Sequence, residues 1–312
     1  MKPFTLFFGA SGQLGTSDVT HNSQYELVVN TVNQLRDRLL KEEVLRQPFL
    51  HIFNTTYNDN TDVPHDLEPC TPLANQVSNM SKFQNIRNYP PTDNDVVDFL
   101  TNSFPDLYMA PGNIGPEDVS WHETWSGQGE ADKEKIAINC RLVQLWLQAA
   151  STPMVVGPSR LQLMFIAVFL HELGHSSLVW YTCDSWQLGS IERESGEYIE
   201  KAFLGAITCA EFELEPMCLM GIGIKKDERF YPIDDKLATM VVAIDASKGL
   251  PLLDISTLSP APPATLGHVH AKFSQAMTTM PQHGIPPVPR RLSATHVHPL
   301  LKKDKIRVMP GV

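Results

Sequence analysis

A domain of mixed helices and strands is what the sequence predicts, and three observations predict it. Val28, Val32, Leu35 and Leu39 recur at helical spacing behind the capping-box pattern Ser23-Gln24-Tyr25-Glu26. Ile136-Ala137-Ile138-Asn139 alternates apolar with small or polar residues, the period of a strand. From Leu161 to Leu170 the chain is apolar nearly all round, the mark of a helix buried in a core.

Taken in order, Phe4 to Ala10 reads as a buried first strand. A secretory signal is the competing reading, but the apolar part is short and directly follows Pro3. An amphipathic helix is expected over roughly 24 to 46, followed by a short buried strand at Phe49-Leu50-His51-Ile52-Phe53. From 54 to 130 the chain is rich in Asn, Asp, Pro and Gly and predicts long loops, with one helix-like interruption from Asp95 to Asn102. After the strand that ends at Asn139, Leu142 to Leu147 either continues it or turns into a short helix. The buried helix runs from about 159 to 180 with Ser159 as its N-cap. A further helical stretch is expected at roughly 194 to 207.

Residues 249–312 differ in kind. They hold 10 of the 24 prolines and five of the 11 histidines, with seven Lys or Arg against two Asp or Glu. The expectation is a folded domain over 1–248 and a basic, extended or partly disordered tail beyond it. His268-x-His270 and His296-x-His298 lie in that tail, where nothing in the sequence fixes a metal geometry, so both pairs read as solvated histidines.

The formal net charge of −10 argues against a nucleic-acid partner, which needs a clustered basic surface. No apolar run is long enough to predict a membrane span. Cys70, Cys140, Cys183, Cys209 and Cys218 are scattered, odd in number and form no CxxC pair. That excludes a thiolate zinc site and a disulfide framework, and favours a reducing, cytoplasmic setting, with secretion left open. The sequence is silent on oligomeric state.

Chemistry concentrates in His171-Glu172-Leu173-Gly174-His175. Residues four apart share a helix face, so both imidazoles reach one zinc ion at about 2.0–2.1 Å. Zinc brings the pKa of a coordinated water toward about 7, and Glu172 stands beside that face to take its proton. Burying these groups with no partner would cost several kcal/mol, so a bound metal explains them better than chance does. Gly174 removes bulk beside the second histidine.

HELGH in a buried helix, preceded by an Ile-Ala-Ile-Asn strand, resembles the zincin superfamily of zinc metallopeptidases over Lys135 to Ala206. The resemblance implies an α+β domain with a mixed sheet, split by a cleft with the metal at its floor. It also implies that the strand at about 135–140 is the sheet edge on which an extended peptide lies. A catalytic zinc needs a third protein ligand. The metzincin position, six residues after His175, is Tyr181, so that pattern fails. The gluzincin pattern takes a glutamate from a following helix, and Glu192, Glu194, Glu197 and Glu200 fall there. The segment resembles those that follow HExxH in fungal zincin-like proteins. Glu194 is the favoured ligand, since Ser195 and Gly196 allow a close approach. Glu197 is the alternative, as ligand or as a carboxylate holding a ligand histidine.

Tyr198, Tyr231 and Arg229 are candidate oxyanion donors by position, and none is assigned. His122 has no partner at ligand spacing and reads as structural. The expected function is a zinc-dependent hydrolase, a metallopeptidase with peptide or protein substrates. A non-catalytic zincin-like binding or scaffold protein is the alternative.

Overall fold

The computed structural model describes residues 1–9, 16–61, 89–110, 122–124, 135–181, 189–214, 217–227, 229–262 and 268–272. Of 58–61, 110, 122–124, 189–194, 212–214, 217–218 and 268–272 it describes the backbone course. The chain is an α+β protein with two sheets. The first has the order β2-β1-β3-β5-β4, formed by β1 (Leu6–Phe8), β2 (Ser17–Asp18), β3 (Asp106–Ala110), β4 (His122–Thr124) and β5 (Lys135–Asn139). β1, β3 and β5 run parallel, whereas β2 and β4 pair antiparallel at the two edges. The sheet is therefore mixed.

Five helices share its core: α1 (Glu26–Lys41), α2 (Glu43–Thr61) and α3 (Asp93–Asn102) pack on one another, α4 (Cys140–Ser151) and α5 (Pro158–Tyr181) pack on the sheet, and α2 also meets α5. Asn139 ends β5 and caps α4 by accepting from the Arg141 N–H, which resolves Leu142 to Leu147 as helix. Pro158 opens α5, a position where its missing N–H costs nothing. Ser159 is thereby inside the helix rather than its cap, and its hydroxyl accepts from Thr239.

Phe49 to Phe53 belong to α2, not to a strand. Leu45, Phe49, Ile52, Phe53 and Thr56 are all buried, and their spacing of three and four residues is helical. The short apolar run hid that longer period. Two buried arginines lock the helices together. Arg36 of α1 donates to the carbonyls of Leu100 (2.7 Å), Thr101 (3.0 Å) and Lys2 (2.8 Å), meeting the last turn of α3. Arg46 forms a two-pronged bond to Asp93 at the start of α3, 2.7 Å on each arm.

The second half of the chain adds α6 (Gly189–Leu204), β6 (Ile207–Leu214), β7 (Met217–Lys226), β8 (Arg229–Pro232), α7 (Asp235–Val242) and β9 (His268–Lys272). α6 starts earlier and stops sooner than the helix expected at 194 to 207, because Gly205 takes a left-handed φ of 79° there. β6 to β9 form an antiparallel sheet in the order β8-β7-β6-β9. Packed structure continues past residue 248. Leu253 is buried, the Leu252 N–H donates to Phe203, and β9 pairs with β6. The remainder of the expected tail, 273–312, lies outside the described residues, as do most of the loops expected within 54–130.

α5 is the centre of the molecule, packed against α2, α4, α6, α7, β4 and β5. Among the described residues it is the helix long and apolar enough to cross a membrane, and 89% of its apolar window is buried inside the protein.

Candidate metal centre

Every residue of α5 from Leu163 to Gly174 is buried, so the helix carries its motif into the core. His171 is 3% exposed, Glu172 1%, and His175 half-buried. One helical turn separates the imidazoles, and their Nε2 atoms face each other at 3.2 Å. Two nitrogens bound to one ion at about 2.05 Å and 3.2 Å apart subtend about 103°, close to the tetrahedral angle of a zinc site. Ligand-capable atoms of His171, Glu172 and His175 all lie within 4.8 Å of one another. The donor set and its spacing thus fit a divalent metal.

The rear nitrogens of the rings are held as well. His175 Nδ1 is 2.8 Å from Ser195 Oγ, and His171 Nδ1 is 3.4 Å from Glu200 Oε2. Glu200 is itself anchored, its other oxygen accepting from the Thr208 N–H at the start of β6. Partners at Nδ1 fix ring orientation and leave Nε2 to face the shared point, the arrangement that raises ligand basicity in metal sites. Burial opposes a charged His171. The Glu200 hydrogen bond, with the charges of Glu172, Glu200 and Glu197, outweighs it and raises that pKa above its ordinary value. The pocket attracts positive charge.

Two glycines let α5 and α6 come this close. A Cβ on Gly196 would fall 2.4 Å from His171 Cδ2 and 2.5 Å from its Nε2. A Cβ on Gly174 would fall 2.8 Å from Ile199 Cγ1 and 3.0 Å from the Ser195 carbonyl. The small residues singled out in the sequence, Gly174, Ser195 and Gly196, all lie at this crossing.

The structure brings His171, Glu172 and His175 together. Glu194 falls on a residue whose side chain lies outside the described residues, as do those of Glu192 and His122. The helix register still has content. Gly196, Ile199 and Glu200 mark the face of α6 turned toward the core. At about 100° per residue, position 192 lies on that face one turn earlier, and position 194 on the opposite one. Glu197, its side chain 17% exposed, pairs with Lys201 at 3.0 Å four residues on, and Glu200 is the carboxylate that holds the histidine. Tyr198 stacks on His51 of α2 with centroids 4.8 Å apart, on the side of α6 away from His171. Sequence reading missed the roles of Ser195 and Glu200. Their signal is the spacing 195, 196, 199, 200 and 203, one face of a helix.

The strand before the active helix also sits differently. β5 is paired on both sides, by β3 and β4, and is not an edge. The edge beside α5 is β4, whose residues come from the loop-rich stretch that sequence reading could not order.

No protein-family model, no curated protein and no solved structure matches the chain.

Proposed function

We propose that the chain is a zinc-dependent hydrolase, a metallopeptidase acting on peptide or protein substrates. One observation carries the reading: two Nε2 atoms converge at 3.2 Å on a point beside the buried carboxylate of Glu172. A zinc ion bound there would supply Lewis acidity, polarising a carbonyl and acidifying water. Glu172 takes the proton from the attacking water and passes it to the leaving amine. Ser195 and Glu200 hold the two rings from behind. α6 supplies the third ligand. Glu194 was expected from sequence, and the helix register favours Glu192. An extended peptide would add along β4, the edge strand beside α5 among the described residues.

The test is Glu172→Gln, assayed on a broad peptide library by mass spectrometry with zinc content measured in parallel. The expected result is unchanged zinc and circular dichroism, with hydrolysis reduced by about 10²–10⁴-fold. Full hydrolysis by the variant would sink the mechanism. Absence of cleavage by the zinc-loaded wild type would sink the enzymatic reading.

A further inference from the structure

The residues that would do the chemistry are shut inside the protein. Glu172 is 1% exposed with both carboxylate oxygens buried, and His171 is 3% exposed. Of the motif's three polar residues, His175 alone is half-buried. Hydrolysis needs more room than this. A peptide carbonyl and a water must both stand at the ion, the water within about 2.6–3.2 Å of the base. The closed arrangement holds the constellation together but leaves a substrate no way in.

α5 is packed on both sheets and on four other helices, so it is not the part that yields. α6 lies across the site and is fastened unevenly. Its later half is well anchored. Ile199, Phe203 and Leu204 are buried, and Phe203 packs edge-on against Phe49 with centroids 6.2 Å apart. The Phe203 carbonyl accepts from the Leu252 N–H at 2.7 Å, Tyr198 stacks on His51, and Glu200 is tied to Thr208. Ahead of these residues, the described side chain that fastens α6 is Ser195, whose Oγ lies 2.8 Å from His175 Nδ1. Ser195 and Gly196 stand between the two parts, and a Ser/Gly pair is a place where helices kink.

We infer that α6 is a gate over the metal centre: its turns ahead of Gly196 swing out about Ser195-Gly196 to admit a peptide, and the Ser195–His175 contact latches them closed. Residues 198–204 stay in the core, with Glu200 behind His171. Position 192, which the helix register favours for the third ligand, rides on the moving part. Closure over a bound peptide therefore completes the ligand set. The inference rests on the proposed metal site.

The experiment uses the metal-free full-length chain and cobalt(II), whose visible absorption develops as it binds. In stopped flow, the rate of colour development is expected to level off with rising cobalt at a first-order limit, the rate of gate opening. Ser195→Ala removes the latch and should raise that limit about two- to tenfold. Hydrogen exchange of the metal-free chain reads the same event. Amides of residues 194–197 should exchange at least about tenfold faster than those of 201–204, and Ser195→Ala should accelerate the first group alone. A rate that climbs in proportion to cobalt with no limit overturns the gate, as does a limit that Ser195→Ala leaves unmoved. If no cobalt binds, the proposed metal centre falls, and exchange judges the gate by itself: equal protection of the two groups overturns it, and acceleration of 194–197 alone upholds a hinge at Ser195-Gly196.

Discussion

Replacing Gly196 with alanine adds one methyl group at the point where α6 meets His171. That Cβ would sit 2.4 Å from Cδ2 and 2.5 Å from Nε2. Ordinary carbon contacts lie at about 3.5–4.0 Å, so the ring must retreat by about 1 Å or more, or the helices must part. Metal–ligand distances tolerate only about 0.2 Å, so a shift of that size removes His171 as a ligand. The effect on stability is smaller. Overpacking costs about 1–3 kcal/mol, and alanine returns about 1 kcal/mol of helix propensity. The expected result is a folded protein whose zinc affinity has dropped by more than tenfold. A competition titration against a chromogenic chelator reads the affinity, and urea unfolding of the metal-free protein reads the stability. Wild-type affinity and stoichiometry in Gly196→Ala would refute the placement of the metal at the facing Nε2 atoms.

Two further perturbations separate holding the metal from holding the fold. Glu200→Gln keeps an acceptor for the Thr208 N–H but loses the charge behind His171 Nδ1. Zinc affinity should fall by about 10–100-fold in the same titration, and an unchanged value would deny Glu200 a role at the site. Arg36→Met removes the donor to three carbonyls and the cation 4.5 Å from the Phe104 ring centroid. Unfolding of the metal-free protein in urea should show a loss of about 2–4 kcal/mol with zinc affinity retained. A change within 0.5 kcal/mol, the order expected of an ordinary surface substitution, would contradict the buried role.

What could be read from the sequence was what depends on near neighbours. α5 declared itself because ten successive residues from Leu161 to Leu170 leave no polar face. β5 and α3 followed from short periods, and the two histidines from a spacing of four. Phe49 to Phe53 misled because five residues cannot distinguish a buried strand from one flank of a helix. The period appears only when Leu45 and Thr56 are included. The second sheet escaped because β6 gains its meaning from β7 and from β9, some 60 residues away in the chain. Glu200 and Ser195 were hidden for the same reason. A glutamate on a charged helix reads as solvated until the crossing of α5 and α6 buries it.

Charge balance gives the strongest physical argument for the proposal that a cation binds at this site. Glu172 and Glu200 are each 1% exposed, and His171 faces both, at 4.0 Å and 3.4 Å. A protonated His171 supplies one positive charge against two carboxylates in a region where water screens little. A divalent ion at the shared Nε2 point would leave both imidazoles neutral and still bring two positive charges to the same volume. The two arrangements demand different roles of His175. With a proton alone, its Nε2 accepts a hydrogen bond from His171 across 3.2 Å, and the half-buried ring has only an accessory part. With a metal, both rings are ligands of equal standing, which gives Ser195 a reason to hold His175 from behind as Glu200 holds His171. The two-sided support of the rings, not the motif alone, is what favours the proposed metal centre over a buried histidine pair.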